Sequence, residues 1–177
     1  LETSRARLAT LAAQFAQIED QPAEGTREQY IGLDQAAPLL LCQPTDNDGP
    51  YARALARRGP GLHHIGLSVP NPESYLVGLA GSGWYVLPQS VRTVPRGLVW
   101  LARPGVNVLI EVCEMDEVTK PPLVSSVEIV MQKNDEGMLA RLGLPERPLA
   151  GVTISPDQQA WLTIAGTRYA ADDLARA

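Results

Sequence analysis

The chain has 177 residues, 45% of them hydrophobic and 20% charged, enough to bury the core of one generous domain or two small ones. Its formal net charge of -5 excludes the basic face that a nucleic-acid partner needs, and no apolar run reaches the ~20 residues of a membrane span. Two cysteines exclude a disulfide framework: Cys42 and Cys113 lie in apolar runs and read as free, buried small hydrophobes, and with no signal-peptide pattern the expected location is the cytoplasm.

In chain order, Leu8, Leu11, Ala12 and Phe15 fall at helical spacing and predict a helix over 1–15. Strands are predicted over 16–21, 28–33 and 38–42. Residues 45–61 then read as a connector. Asp48 or Gly49 caps a helix that holds Pro50 in its first turn, and Gly59 and Pro60 stop it. Arg53, Arg57 and Arg58 make a solvated face of that helix rather than an anion site. A strand follows over 62–69. Asn71 as N-cap and Pro72 at the first helical position open a helix that ends in the glycines before residue 84. Strands are predicted over 84–94, 97–103 and 107–114. Beyond them come a strand over 124–131, a short helix over 135–144 and strands over 150–155 and 160–166.

These elements repeat. Residues 62–115 carry the full order β-α-β-β-β. Residues 1–44 carry the same order but open at the helix, without the strand that should precede it. Residues 124–177 carry a partial third copy. The stretch "LLLCQ" (39–43) overlays "IEVCE" (110–114), cysteine on cysteine, so that Leu40 falls on Glu111. Ser126 falls on His64. A lone half-module leaves a sheet edge that needs cover. The segment 124–166 is therefore expected either to pair with its counterpart in another chain, as a twofold homodimer, or to pack on the first two units.

Strand parity singles out two side chains. With period two, Leu62, His64, Gly66 and Ser68 share one face, while His63, Ile65, Leu67 and Val69 share the other. In the same way Val108, Ile110 and Val112 oppose Asn107, Leu109, Glu111 and Cys113. A carboxylate between Ile110 and Val112 in mid-strand is costly unless it is paired. His64 and Glu111 are thus expected to face each other in a pocket, with His63 pointing away. Histidine plus carboxylate suits a hard or borderline divalent metal, and it also suits acid–base work. It equally describes a hydrogen-bonded pair lining a cavity, since two donors fall short of the three usual in a catalytic metal site. Trp84, Trp100 and Trp161 read as core packing. There is no glycine-rich phosphate loop, no CxxC and no serine-hydrolase elbow.

The repeat, the connector "DGPYARALARRGPGLHHIGLSV" (48–69), the closing "VNVLIEVCE" (106–114) and the opening "LETSRARLATL" resemble the vicinal oxygen chelate superfamily. Within it the likeness is to methylmalonyl-CoA epimerase and glyoxalase-I-like proteins, and it covers 1–115 better than 124–166. The resemblance implies an α+β fold in which repeated βαβββ modules form a curved mixed sheet with helices outside. It also implies a divalent metal in the cup, held by four side chains, one each from the first and last strands of two modules. Carried over residue by residue, the metal ligands here are His64 and Glu111, with Glu111 also the candidate catalytic carboxylate. The first module offers neither of its two: its first strand is absent from this sequence, and Leu40 has no lone pair to give. Gln43, the nearest donor, falls on the opposite face by parity. Glu24 lies beside the place of a catalytic glutamate of epimerase-like members, but the match falls on Ala23. The expected function is therefore a glyoxalase-like protein that binds a small molecule in a cup-shaped pocket and holds a divalent metal weakly or not at all. Two alternatives differ in class. One is an active metal-dependent lyase, epimerase or dioxygenase, completed by a strand ahead of residue 1 and a further donor. The other is an interaction protein that uses the third unit as its surface.

Overall fold

A computed structural model describes residues 1–93, 97–114, 120–131, 139, 142 and 151–176. The chain opens with a short helix, α1 (Glu2–Arg7), and a 3-10 segment over Ala9–Gln14. The single predicted helix is thus broken at Leu8, whose backbone leaves the helical region at φ -103 and ψ 22. Leu8 and Leu11 are buried as their spacing required, but Ala12 is exposed, because the tighter 3-10 pitch rotates it off the apolar stripe. Strands β1 (Glu19–Gln21), β2 (Thr26–Ile31) and β3 (Leu39–Pro44) then form an antiparallel sheet in sequential order. Helix α2 (Pro50–Arg58) follows and stops at Gly59, whose φ of 73 suits a residue without a side chain. Arg53, Arg57 and Arg58 are exposed on it.

The second unit holds β4 (His64–Val69), α3 (Pro72–Gly78), β5 (Tyr85–Val86), β6 (Leu98–Ala102) and β7 (Leu109–Glu114). Its sheet runs β4-β7-β6-β5, with β4 parallel to β7 and the other pairs antiparallel. Ile110 and Val112 are almost fully buried, and they pack in one core with Val69, Leu79, Trp84 and Val99. Asn71 caps α3 as expected, accepting from the Ser74 amide at 2.8 Å. Substituting Asn71→Ala should cost about 1 kcal/mol, seen as a lower urea midpoint at unchanged slope. The strand predicted over 84–94 requires correction. Among the described residues of that run only Tyr85–Val86 is strand, and Pro88–Arg92 wind into a 3-10 turn, since Pro88 has no N–H to give a ladder. Ser90, fully buried, ties this turn to β6: the Trp100 amide donates to its Oγ at 2.8 Å.

The third unit holds β8 (Val124–Ile129), β9 (Gly151–Ile154), β10 (Trp161–Ile164), β11 (Thr167–Ala170) and a terminal helix, α4 (Ala171–Ala175). The helix predicted over 135–144 lies outside the described residues apart from Leu139 and Leu142, both buried. The spatial order is β11-β10-β8-β9, so β8 takes β9 as its parallel neighbour and β10 as its antiparallel one. In the second unit the parallel neighbour of the first strand is the last.

This unit packs on the first, the second of the two arrangements expected for it. Pro122 bridges Ala36 in parallel, and the amides of Leu123 and Val124 donate to the carbonyls of Ala36 and Ala37 at 2.9 and 3.1 Å. At the other end Ser4 Oγ donates to the Leu174 carbonyl at 2.6 Å, which ties α1 to α4. One apolar cluster runs through all three units, from Leu8 and Ile31 through Ile110 to Val127 and Leu174. The result is a mixed α+β fold. Among the described residues no helix is long and apolar enough to cross a membrane.

Candidate functional site

Parity along β4 and β7 leaves one face of the second sheet polar. Ile110 and Val112 are buried while Leu109, Glu111 and Cys113 are half-buried; Leu67 and Val69 are buried while His64 and Ser68 are half-buried. The register sets Gly66 beside Glu111, so His64 lies one step away on the same face. His64 Nε2 and Glu111 Oε2 stand 3.6 Å apart, and the two side chains keep 14% and 24% of their surface exposed. The sequence-predicted pair is thus brought together, at a spacing longer than a hydrogen bond. Trp100, the ladder partner of Glu111 on β6, sets its ring edge-on to His64 with centroids 5.0 Å apart. It is half-buried, unlike the buried Trp84. Trp161 lies elsewhere, in the third unit, with the Arg168 guanidinium 3.9 Å above its ring centroid.

His63 does not point away. It precedes the first residue of β4, so strand alternation does not govern it. Its ring turns back until Nδ1 lies 3.0 Å from His64 Nδ1. Tyr51 of α2 packs on the other side of it, ring centroids 4.6 Å apart.

The first unit brings polar side chains near enough to act on Glu111. Glu28 pairs with Cys42 and Tyr30 with Leu40 across β2 and β3. Glu28, only 8% exposed, accepts from Thr26 Oγ1 at 2.7 Å, and Cys42 Sγ lies 3.9 Å from the same carboxyl oxygen. Gln43 is exposed, paired with Arg27 on the other face. Glu24, an exposed residue in the β1–β2 turn, is close enough to act on Glu111 and the tyrosines.

Burial controls the protonation of these groups. It raises the Glu111 carboxyl to about 7, helped by the charges of Glu24 and Glu28. Burial also pushes His64 down to about 4, and His63 to about 4 with help from His64 and Arg58. At neutral pH both imidazoles are therefore uncharged, and His64 and Glu111 do not form an ion pair. Desolvation, then Glu28, raises Glu24. The phenols of Tyr30 and Tyr51 rise chiefly by burial. Burial and the charges of Glu28 and Glu24 lift the Cys42 thiol to about 12; burial also raises Cys113. Both cysteines are free. Cys42 in the native protein at pH 8 should therefore react with iodoacetamide about 1,000-fold more slowly than after unfolding, measured by mass spectrometry of the labelled peptide.

His64 and Glu111 supply two donors. Leu40 supplies none, and Cys42 is a protonated thiol beside Glu28. Among the described residues no group of three or more His, Cys, Asp and Glu side chains is placed to hold a metal ion. Glu28, Tyr30 and Tyr51 stand near Glu111 and the histidines, and the sequence reading missed them. Period two along β2 would have set Thr26, Glu28 and Tyr30 on one face, but nothing in the sequence says that this face meets Glu111.

The order β4-β7-β6-β5, with its parallel outer pair and one polar face, defines the mixed α+β fold of the second unit. The solved structure of hypothetical protein BH1468 from Bacillus halodurans C-125 shares this fold: TM-score 0.50, 22% identity, 66% of this chain and 86% of that one covered. Two methylmalonyl-CoA epimerase structures are similar as well. One, in complex with methylmalonyl-CoA and NH4+, has 20% identity and a TM-score of 0.49, covering 68% of this chain and 89% of that one. The other, a Streptomyces coelicolor variant in complex with 2-nitronate-propionyl-CoA, has 22% identity and a TM-score of 0.48 over the same shares, 68% and 89%. No family model and no curated protein matches the chain.

Proposed function

We propose that this chain is a small-molecule binding protein of the vicinal oxygen chelate type whose metal site is reduced to two donors, His64 and Glu111. The observation that carries the reading is the pair itself: His64 Nε2 and Glu111 Oε2 stand 3.6 Å apart on one half-buried face, and among the described residues no third His, Cys, Asp or Glu side chain is placed with them to hold a metal ion. Leu40, across the ladder from Tyr30 as Glu111 is from Trp100, offers no donor. A divalent ion beside this pair meets a nitrogen and a carboxyl group, while across the ladder from Tyr30 stands Leu40, and the Glu28 carboxyl is already engaged by Thr26 and lies beside Cys42. The ion is held weakly or not at all. Elemental analysis of the chain purified without added metal should find far less than one zinc, nickel, iron or cobalt per molecule. About one per chain would overturn the reading.

One observation favours a second reading, an active lyase, epimerase or dioxygenase with Glu111 as its catalytic group. A carboxyl raised to about 7 exchanges protons readily at neutral pH, as a general acid or base must.

A further inference from the structure

Gly66 lies in the middle of β4 and is exposed. A glycine in mid-strand weakens a sheet, because it loses the most backbone freedom on folding and brings no side chain to pack. The fold does not require it here. Its backbone is ordinary extended strand without a positive φ, and a Cβ built on it meets no atom within 4 Å. Gly32 is the contrast: its φ of 66 and the Leu123 side chain 2.9 Å from where its Cβ would stand both demand glycine. Where neither backbone nor neighbours call for the missing side chain, close approach of another molecule is its use. Gly66 stands between His64 and Ser68 on the polar face of β4, beside Glu111 of β7. Apolar side chains share that face: Leu109 pairs with His64, Leu98 with Cys113 and Trp100 with Glu111, all three half-buried.

We propose that Gly66 is a specificity-determining residue whose bare backbone seats a flat, uncharged ring of the ligand, with His64 and Glu111 at the polar edge of that ring. The proposal rests on this face being a small-molecule site and adds the class of ligand. A planar ring lies flat on the exposed peptide planes of a residue without a Cβ, with many atom pairs at about 3.5–4.0 Å; a puckered ring of the same size makes fewer such contacts. Leu98, Trp100 and Leu109 offer its carbon body apolar neighbours, which a charged group would meet at a loss of hydration. A hydroxyl on the ring both donates and accepts, so it finds a partner in His64 Nε2 or Glu111 Oε2 whichever of them carries a proton. A side chain at position 66 would fill the seat while touching nothing of the protein. The same substitution should therefore strengthen the fold and expel the ligand.

The test titrates phenol and cyclohexanol, alcohols on rings of equal carbon number, one flat and one puckered, into the isotope-labelled chain at neutral pH in EDTA. Millimolar phenol should shift the amide signals of Ile65, Gly66 and Leu67 and the indole N–H of Trp100, and cyclohexanol should need about tenfold more. Gly66→Val should raise the urea midpoint by about 0.5 M, since a β-branched residue replaces glycine in a strand, and should lose the phenol shifts. Gly66→Ala, the smaller step, should move both readings in the same directions and by less. A midpoint that falls in both variants would mean that the fold itself needs the glycine, and would overturn the proposal. So would phenol shifts that persist undiminished in Gly66→Val. Equal affinity for the two alcohols would overturn the flat-ring assignment. A wild type that neither alcohol perturbs would sink the flat-ring ligand and count against the small-molecule reading of this face with it. A wild type that binds phenol, beside a Gly66→Val that binds it equally well, would leave that reading standing and remove only the role of Gly66.

Discussion

Leu40→Glu should raise the affinity of the chain for a divalent ion on the order of 100-fold, from the weak binding of two donors to that of three. Leu40 lies across the ladder from Tyr30, as Glu111 lies across from Trp100. A carboxylate there would complete a set with His64 and Glu111. Without metal the same change should destabilise the protein, because it adds a negative charge to a wall that already holds Glu28. The unfolding temperature in EDTA should fall below that of the wild type and recover on adding manganese or zinc. Leu39→Glu is the control. It lies on the other face of β3, with Ile31 as its partner, and should lose stability without gaining affinity. If Leu40→Glu gains nothing in calorimetric titration, residue 40 does not stand opposite Glu111, and the overlay of the two units fails with it.

What was legible in the sequence is what local periodicity decides. The alternation around Ile110 and Val112 fixed which face of β7 carries Glu111, because burying that carboxyl in the core would have been too costly. The Asn71–Pro72 signal fixed the start of α3, because the cap is a contact over three residues. Where one residue opposes periodicity, the reading fails. Pro88 interrupts an otherwise strand-like run, and Leu8 breaks a helical stripe into α and 3-10 turns. His63 was misplaced because alternation was extended one residue beyond the end of the strand that enforces it. The wall holding Glu28 and Tyr30, and the approach of Tyr51 from α2, were illegible for another reason. They depend on how separate units meet, and no local pattern records that. The same holds for β8, which takes β9 as its neighbour through contacts distant in sequence.

The pH dependence of stability should separate Glu111 from the histidines. The folded carboxyl of Glu111 titrates near 7, above its ordinary value of 4.5. Its stabilising contribution is thus full below pH 4.5 and is lost as pH rises through about 7. His64 is the reverse. Its folded value of about 4 lies below the ordinary 6.5, so its contribution is present above pH 6.5 and lost as pH falls through 4. His63, displaced in the same direction, adds to that slope, and the raised Glu24 adds to that of Glu111. Between pH 4.5 and 6.5 the two trends oppose each other, so wild-type stability should rise with pH less steeply than the two histidines alone would make it. Glu111→Gln removes one of them. The variant should match the wild type near pH 4.5, climb more steeply with pH, and exceed it by about 2–3 kcal/mol at pH 8, allowing for the quarter of Glu111 that water still reaches. Urea midpoints at pH 4.5, 5.5, 6.5 and 8 in EDTA read this directly. A variant that is less stable than the wild type at pH 8, or offset from it equally at every pH, would mean that Glu111 is compensated in the folded cup. The carboxyl would then be an ordinary ionised partner of its surroundings, and its proposed service as a neutral-pH acid or base would go with it.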